Sequence, residues 1–458
     1  MVFCHTTFLC IQKLRWHMES SRKIALDILE EVLNKNAYSN IAINNKLNRH
    51  NLGDKDKALV TEIVYGTLKY KYTIDKILDY HLKNGIKNLD NYVLNILRIG
   101  IYQIRYLDKI PAFAAVNECV KLGKNKSKGA SKLINGVLRN YLRSENINYC
   151  TGDELDKISF EYSFPKWMVK LFVQQYGLEI GVNILKGLNT IPSVTVRVNN
   201  LKGNFEEVWN KLSENHYNIE EGLICPEAIK IIKGRNIEKN PLFKEGFITV
   251  QDESAMLVAP AMDLSDNMNV MDLCSAPGGK ATHISEIINN TGKVLAFDIH
   301  ENKLSLIKEN AYRLGITNIF LDTMDATLYN HKFEETADRV LIDVPCSGLG
   351  IIRKKPEIKY TKDLKNLKSI IGTQRKILTN AAHYVKEDGI IIYSTCTLNK
   401  EENEGNIKWF MDKFPSFKVE PIFYGNLDNL IYSQLGTITI LPNESMDGFF
   451  IAKLKKIR

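Results

Sequence analysis

Two cysteines carry the chemistry most readily read from this chain. Cys346 lies in Asp343-Val344-Pro345-Cys346-Ser347-Gly348 and Cys396 in Ser394-Thr395-Cys396-Thr397, each just past an apolar run that reads as a strand. Cysteine is ordinarily a small buried hydrophobe, and a lone one after a strand would be read as structural. Two at strand ends, beside a glycine loop of nucleotide-binding type, suit covalent catalysis on an electron-poor ring. Carbon 5 of cytosine is a poor nucleophile. A thiolate adding at carbon 6 makes it enamine-like, and a second thiol can assist loss of the carbon 5 proton so that the first can leave. Asp343, three residues before Cys346, is placed to hydrogen-bond the ring edge opposite the adding sulfur. The residues alone do not assign the two thiol roles.

The glycine loop is Cys274-Ser275-Ala276-Pro277-Gly278-Gly279-Lys280. Its glycines allow close backbone approach to a ligand, and the helix expected after it offers free amides. A Walker A loop needs glycine four residues before Gly-Lys and a hydroxyl after it, where this chain has Cys274 and Ala281, and GxGxxG is absent. A Gly-Gly pair alone is usually only a turn. Acids at successive strand ends alter that reading: Asp298 can accept both hydroxyls of a ribose, and Asp325 and Asp343 follow later strands. Each alone would be a cap or turn residue. Together they fit S-adenosylmethionine better than NAD.

Elements must bring these residues together. Over 21–143 the apolar spacing is helical almost throughout, with Ile24, Ile28, Val32 and later Leu97, Ile101, Ile104. Between about 150 and 265 the character changes to a small α/β pattern with a helix over 167–176, alternation in 194–198 and a helix over 205–212. Beyond Asn269, strands and helices alternate, which predicts a parallel sheet covered on both faces, closed by a late edge strand at Phe449-Phe450-Ile451-Ala452. The expected domains are therefore 18–148, 149–265 and 266–458, since 458 residues exceed one ordinary core. Residues 1–17 read as an extension upstream of the true start, because the first capped helix begins after Met18, with Ser20 and Ser21 as caps.

A hydrophobic fraction of 44% with 25% charged residues describes a globular protein, and no apolar run reaches membrane-spanning length. The net charge of +8 suits a polyanionic partner without requiring one. Eight cysteines, at 4, 10, 119, 150, 225, 274, 346 and 396, form no CxxC pair, so no metal site is expected and free thiols in a reducing cytoplasm are. Lys121, Lys124, Lys126, Lys128 and Lys132, with Arg139 and Arg143, cluster at one loop and the following helix. Such a run is ordinarily a solvated face, and its alternative is a phosphate-binding patch.

Taken together, Asp272-Leu273 with the loop 274–280, Asp343 to Gly350 followed by Arg353, Lys354 and Pro356, and Ser394 to Thr397 followed by Glu401-Glu402-Asn403 resemble the Sun family, the ribosomal RNA small subunit methyltransferase B branch of RNA 5-methylcytosine methyltransferases. Ser163 to Trp167 and Gln251 to Ser254 look like that family's pre-catalytic segments, and 18–145 resembles its NusB-type RNA-binding domain. Thr397 departs from the family's usual serine, and Lys355 from its frequent histidine. The resemblance implies an all-α NusB-like domain, a small α/β middle domain, and a Rossmann-like class I methyltransferase domain with a mainly parallel, seven-stranded sheet. It implies that Cys274, Ser275, Ala276, Pro277, Gly278, Gly279, Lys280, Asp298, Asp325 and Asp343 contact S-adenosylmethionine, that Cys396 attacks and that Cys346 serves release. It favours the phosphate-binding reading of the five lysines and adds Arg353 as an RNA contact. The expected protein is a cytoplasmic monomer acting on a cytosine of 16S ribosomal RNA, with neither membrane nor metal. The rivals are the same reaction on transfer RNA and a non-catalytic NusB-like RNA-binding factor.

Overall fold

The computed structural model describes residues 20–144 and 147–457. The expected upstream extension, with Cys4 and Cys10, lies outside these residues. The chain forms two compact units, one of residues up to Lys170 together with Lys354–Thr361, the other of Leu171–Arg353 and Lys362–Arg458.

The first unit is helical. Ser20 caps the helix Ser21–Lys35 by accepting from the Lys23 amide, and Ile24, Ile28 and Val32 bury along one face of it, as their spacing predicts. Further helices at Ser39–Arg49, Asp54–Lys69, Lys71–His81, Asn91–Tyr106, Ala112–Lys126 and Lys128–Arg143 share one apolar core with it. Asn91–Tyr106 is buried along most of its length and forms the centre. Gly66 lets this helix approach, since a Cβ there would lie 1.9 Å from Cζ of the Tyr102 ring. The segment 354–361 completes the unit: the Glu357 carboxylate accepts from the amide (3.0 Å) and hydroxyl (2.7 Å) of Ser39, and the buried Lys359 ammonium donates to the carbonyls of Lys69 and Ser163.

The second unit holds two sheets. Strands β1 (Val194–Val198), β2 (Asn218–Glu221), β3 (Ala228–Lys233) and β4 (Ile248–Val250) form an antiparallel sheet in the order β2-β3-β1-β4, packed through Val196, Val198, Val208, Leu212 and Ile248. The larger sheet contains β5 (Asn269–Asp272), β6 (Lys293–Asp298), β7 (Ile319–Thr323), β8 (Ala337–Asp343), β9 (Val385–Thr395), β10 (Phe417–Glu420), β11 (Leu430–Tyr432), β12 (Ile438–Ile440) and β13 (Phe449–Lys456). Its order is β11-β12-β13-β9-β8-β5-β6-β7, with β10 on β13. Strands β5 to β9 pair in parallel and β13 joins β9 antiparallel. The sheet thus has the expected mainly parallel centre, lengthened at its antiparallel end to nine strands where seven were anticipated.

Period-two alternation decides what each face buries. Val270, Leu341 and Ile392 point to one side with Ala281 and Ile284 of the helix Gly279–Ile287. Met271, Ile342 and Ile391 point to the other, against Ile377, Leu378 and Ala381 of Leu364–Tyr384 and Ile407 and Phe410 of Glu404–Lys413. Two apolar faces leave only the strand ends for polar groups.

Candidate active site

Strand β5 lies between β6 and β8, so the chain runs outward in both directions from it and the loops after β5, β6, β8 and β9 open on the same edge. A crevice forms at such a reversal. Gly278 has φ +100° and precedes the helix Gly279–Ile287; a Cβ there would meet Ile307 at 2.9 Å, whereas at Gly279 it would meet only Gln251, at 3.9 Å. The loop is thus tight behind and open in front.

Acids surround it. Asp272 is buried, one oxygen takes the Cys274 amide at 3.3 Å, and the other has no partner. Burial, then the charge of Asp343, pushes its carboxyl up to about 7. Asp298 ends β6, accepts the His300 amide at 2.9 Å and faces the Lys303 ammonium at 3.6 Å. The Cys274 thiol is pushed up by burial and by the charges of Asp272, Asp343 and Asp298, so all three carboxyls bear on one point of the loop. Asp325 instead accepts the amide (2.9 Å) and hydroxyl (2.7 Å) of Thr327, the local turn role open to any such residue. An orphaned carboxylate oxygen, an open glycine and an acid at the next strand end fit a nucleoside bearing a cationic tail.

Beside the loop the two cysteines meet. Register pairs Asp343 of β8 with Ser394 of β9, and the chain carries Cys346 and Cys396 past those ends until their sulfurs are 3.1 Å apart. The contact with Cys396, then burial, raises the Cys346 thiol well above the ordinary range. Asp343 accepts from the Ser394 hydroxyl at 2.9 Å and the Lys280 ammonium at 2.6 Å. Burial pulls that ammonium down, but the charge and hydrogen bond of Asp343, with Cys396 nearby, more than offset it and hold Lys280 above its usual value. A fixed cation therefore stands beside the thiol pair, where a thiolate gains most from it.

Among the residues expected to meet RNA, Lys121, Lys124, Lys126, Lys128 and Lys132 are all exposed. Lys121 pairs with Glu118 (2.6 Å) and Lys126 with Asp90 (3.0 Å). Arg353 differs: its side chain is 0% exposed, donates to Asp447 at 2.6 Å and to the Asn443 carbonyl, and faces Asp252 at 3.6 Å. It ties segments of the unit together here and is not a free phosphate ligand.

Sequence reasoning passed over three residues. Arg197, fully buried in β1, donates to both oxygens of Glu286 (3.0 and 2.7 Å) and to the Gly279 carbonyl (3.0 Å), so the small sheet braces the glycine loop. An arginine amid four β-branched residues was its signal. Gln374, within a long amphipathic helix, and Glu402, known only as part of a motif, gave no comparable sign.

Residues 259–455 match the family described as 16S rRNA methyltransferase RsmB/F, 19–143 the NusB family, and 164–238 the ferredoxin-like domain of RsmF/B-like methyltransferases. The probable ribosomal RNA small subunit methyltransferase B of Bacillus subtilis (strain 168) is 37% identical over 95% of this chain and 99% of its own. This chain belongs to the ribosomal RNA small subunit methyltransferase B family. A second such relative, from Synechocystis sp., is 36% identical over 96% of this chain and 100% of its own. The solved structure of PH0851 superposes with a TM-score of 0.82 at 27% identity, covering 95% of this chain and 99% of that one. Membership of this family makes the protein a ribosomal RNA methyltransferase with a NusB-like domain, a ferredoxin-like domain and a Rossmann-like methyltransferase domain. Among the described residues no helix is long and apolar enough to cross a membrane.

Proposed function

We propose that the protein methylates carbon 5 of a cytosine in 16S ribosomal RNA through a transient covalent bond to Cys396. The observation that carries this reading is the 3.1 Å approach of the Cys346 and Cys396 sulfurs beside the Asp343–Lys280 pair. Methylation of an exocyclic nitrogen has no use for two juxtaposed thiols.

In this mechanism S-adenosylmethionine supplies an electrophilic methyl group to carbon 5. The loop 274–280, Asp298 and the free oxygen of Asp272 would hold it, with Asp325 as a further expected contact. The Cys396 thiolate adds to carbon 6, and the electron pair of the 5,6 double bond moves to carbon 5, which takes the methyl group while the pair of the broken sulfur–methyl bond stays on sulfur in S-adenosylhomocysteine. Asp343 and Lys280 orient the ring and offset charge on it during addition. A base then removes the carbon 5 proton, the double bond re-forms, and the Cys396 thiolate departs with the pair that bound it. Cys346 is the group placed to assist this removal. The target base must leave its stack to enter the crevice, and exposed lysines at 121–132 contribute phosphate contacts. The protein is read as a cytoplasmic monomer that needs no metal.

Incubation with RNA carrying 5-fluorocytosine, which cannot lose a proton from carbon 5, tests this directly. Mass spectrometry should find RNA attached at Cys396 in the wild type and none in Cys396→Ala. Absence of any adduct in the wild type would overturn the reading. Bisulfite mapping of 16S and transfer RNA from a deletion strain identifies the substrate.

A further inference from the structure

Glu402 is 0% exposed. A carboxylate removed from water costs several kcal/mol unless its lone pairs are fully used. Here one oxygen accepts the Ser347 amide (2.9 Å) and Gln374 Nε2 (3.0 Å), and the other accepts the Ser347 hydroxyl (2.5 Å) and Asn399 Nδ2 (3.1 Å). An amide N–H and two carboxamide N–H groups can only donate, so the side chain is an acceptor, satisfied at four points by neutral groups.

The identity of those groups is informative. Ser347 directly follows Cys346. Gln374 donates also to the carbonyl of Pro345, which directly precedes Cys346, at 3.0 Å. Cys346 is thus held on both sides by groups that meet at one carboxylate. The Ser347 hydroxyl also contacts the hydroxyl of Thr397, which directly follows Cys396, at 2.7 Å. The β8–β9 ladder ends at Asp343 and Ser394, so Cys346 lies three residues past it, while Cys396 directly follows Thr395, which still pairs with Phe450 of β13, and its carbonyl accepts the Gly350 amide at 2.9 Å. The β8–β9 ladder itself does not carry the two sulfurs, which both lie beyond its last pair. Beyond that backbone bond the two loops are tied by side chains, and Glu402 is where those ties converge.

We propose that Glu402 is a positioning residue that fixes the sulfur of Cys346 against that of Cys396 and thereby sets the rate at which the covalent RNA adduct is resolved. The inference rests on the mechanism above. Once Cys396 is bonded to carbon 6 and the methyl group has arrived, the base must reach the proton on the adjacent carbon 5, and a displacement of about 1 Å costs on the order of a hundredfold in rate. Substrate and cofactor binding involve other residues.

The test uses Glu402→Gln, which keeps the size of the side chain but turns one acceptor into a donor facing other donors. Full-length wild type, Glu402→Gln and Cys346→Ala are mixed with S-adenosylmethionine and unmodified cytosine RNA. Single-turnover methyl transfer, the lifetime of the adduct on denaturing gels, KM and the melting temperature are measured. The expected result is an adduct lifetime lengthened about ten- to a hundredfold, with methyl transfer within about threefold and KM for both substrates unchanged. Gln374→Met, which releases the Pro345 carbonyl, should lengthen it in the same direction by less, and it carries the test if Glu402→Gln does not fold. A wild-type adduct lifetime in both variants overturns the role of Glu402, as does an equal loss of methyl transfer and resolution. No adduct in Cys346→Ala, whatever Glu402→Gln does, overturns the covalent mechanism instead.

Discussion

The lysine-rich surface of the helical unit and the polar cluster at the strand ends of the large sheet handle charge in opposite ways. Lys124, Lys128 and Lys132 stand in water. Arg353 and Glu402 are withdrawn from it, Lys280 and Asp343 are partly so, and each has found defined partners. Exposed charges are cheap to keep, are screened by salt and act over distance without specifying geometry. Buried ones are costly unless fully paired, but once paired they hold atoms in place. The first arrangement suits gathering a polyanion from solution and the second suits making and breaking a bond.

That contrast can be broken at several points. The largest effect is expected from Cys396→Ala, which should lower the single-turnover rate of methyl transfer by roughly 10⁴-fold or more while leaving RNA affinity near wild type. Arg353→Met should cost about 3–5 kcal/mol in denaturant unfolding, because it removes a buried guanidinium that donates to Asp447 at 2.6 Å and to the Asn443 carbonyl. A change as small as a surface substitution there would show that the cluster is not tightly paired. Asp272 gives a pH signature. Its folded-state carboxyl titrates near 7 and its unfolded one near 4. The folded state therefore binds more protons between those values, and its contribution is present below about pH 4 and lost as pH rises to about 7. Asp272→Asn should remove that decline, worth at most about 4 kcal/mol, and an unchanged stability-versus-pH profile would refute the assignment. The smallest effect on the enzyme itself is expected from Lys124→Ala, Lys128→Ala and Lys132→Ala together. Stability should move by less than about 0.5 kcal/mol each. RNA affinity should fall about tenfold, and the slope of log affinity against log salt should flatten by roughly 2 to 3. Lys121 and Lys126, already paired with acids, should contribute less.

Much of this organisation was legible beforehand. Helical spacing at Ile24, Ile28 and Val32 and strand alternation at 194–198 reflect which faces must leave water, a property each segment carries locally. The glycine loop and both cysteine motifs were visible because their chemistry needs particular residue types at short spacing. The two extra strands were not, because β11 and β12 are three residues each and acquire strand character only by pairing, β12 with β13 and β11 with β12. Arg353 misled because a charged residue next to a motif reads as a ligand, whereas its partners lie at Asp447 and Asn443. Lys359 is comparable: a lysine in a basic run that ends fully buried against the Lys69 and Ser163 carbonyls and the Phe164 ring.

The sequence by itself determined the elements, the class of sheet and which residues are the candidate reacting groups, since periodicity and short motifs are local. The tertiary structure alone decided that Cys346 and Cys396, fifty residues apart, would be 3.1 Å from each other, that Arg197 would brace Gly279, and that Glu402 would gather both cysteine loops. Those contacts join segments distant in the chain. Their geometry follows from strand order, register and the need of each buried polar group to find a partner, none of which any one segment encodes.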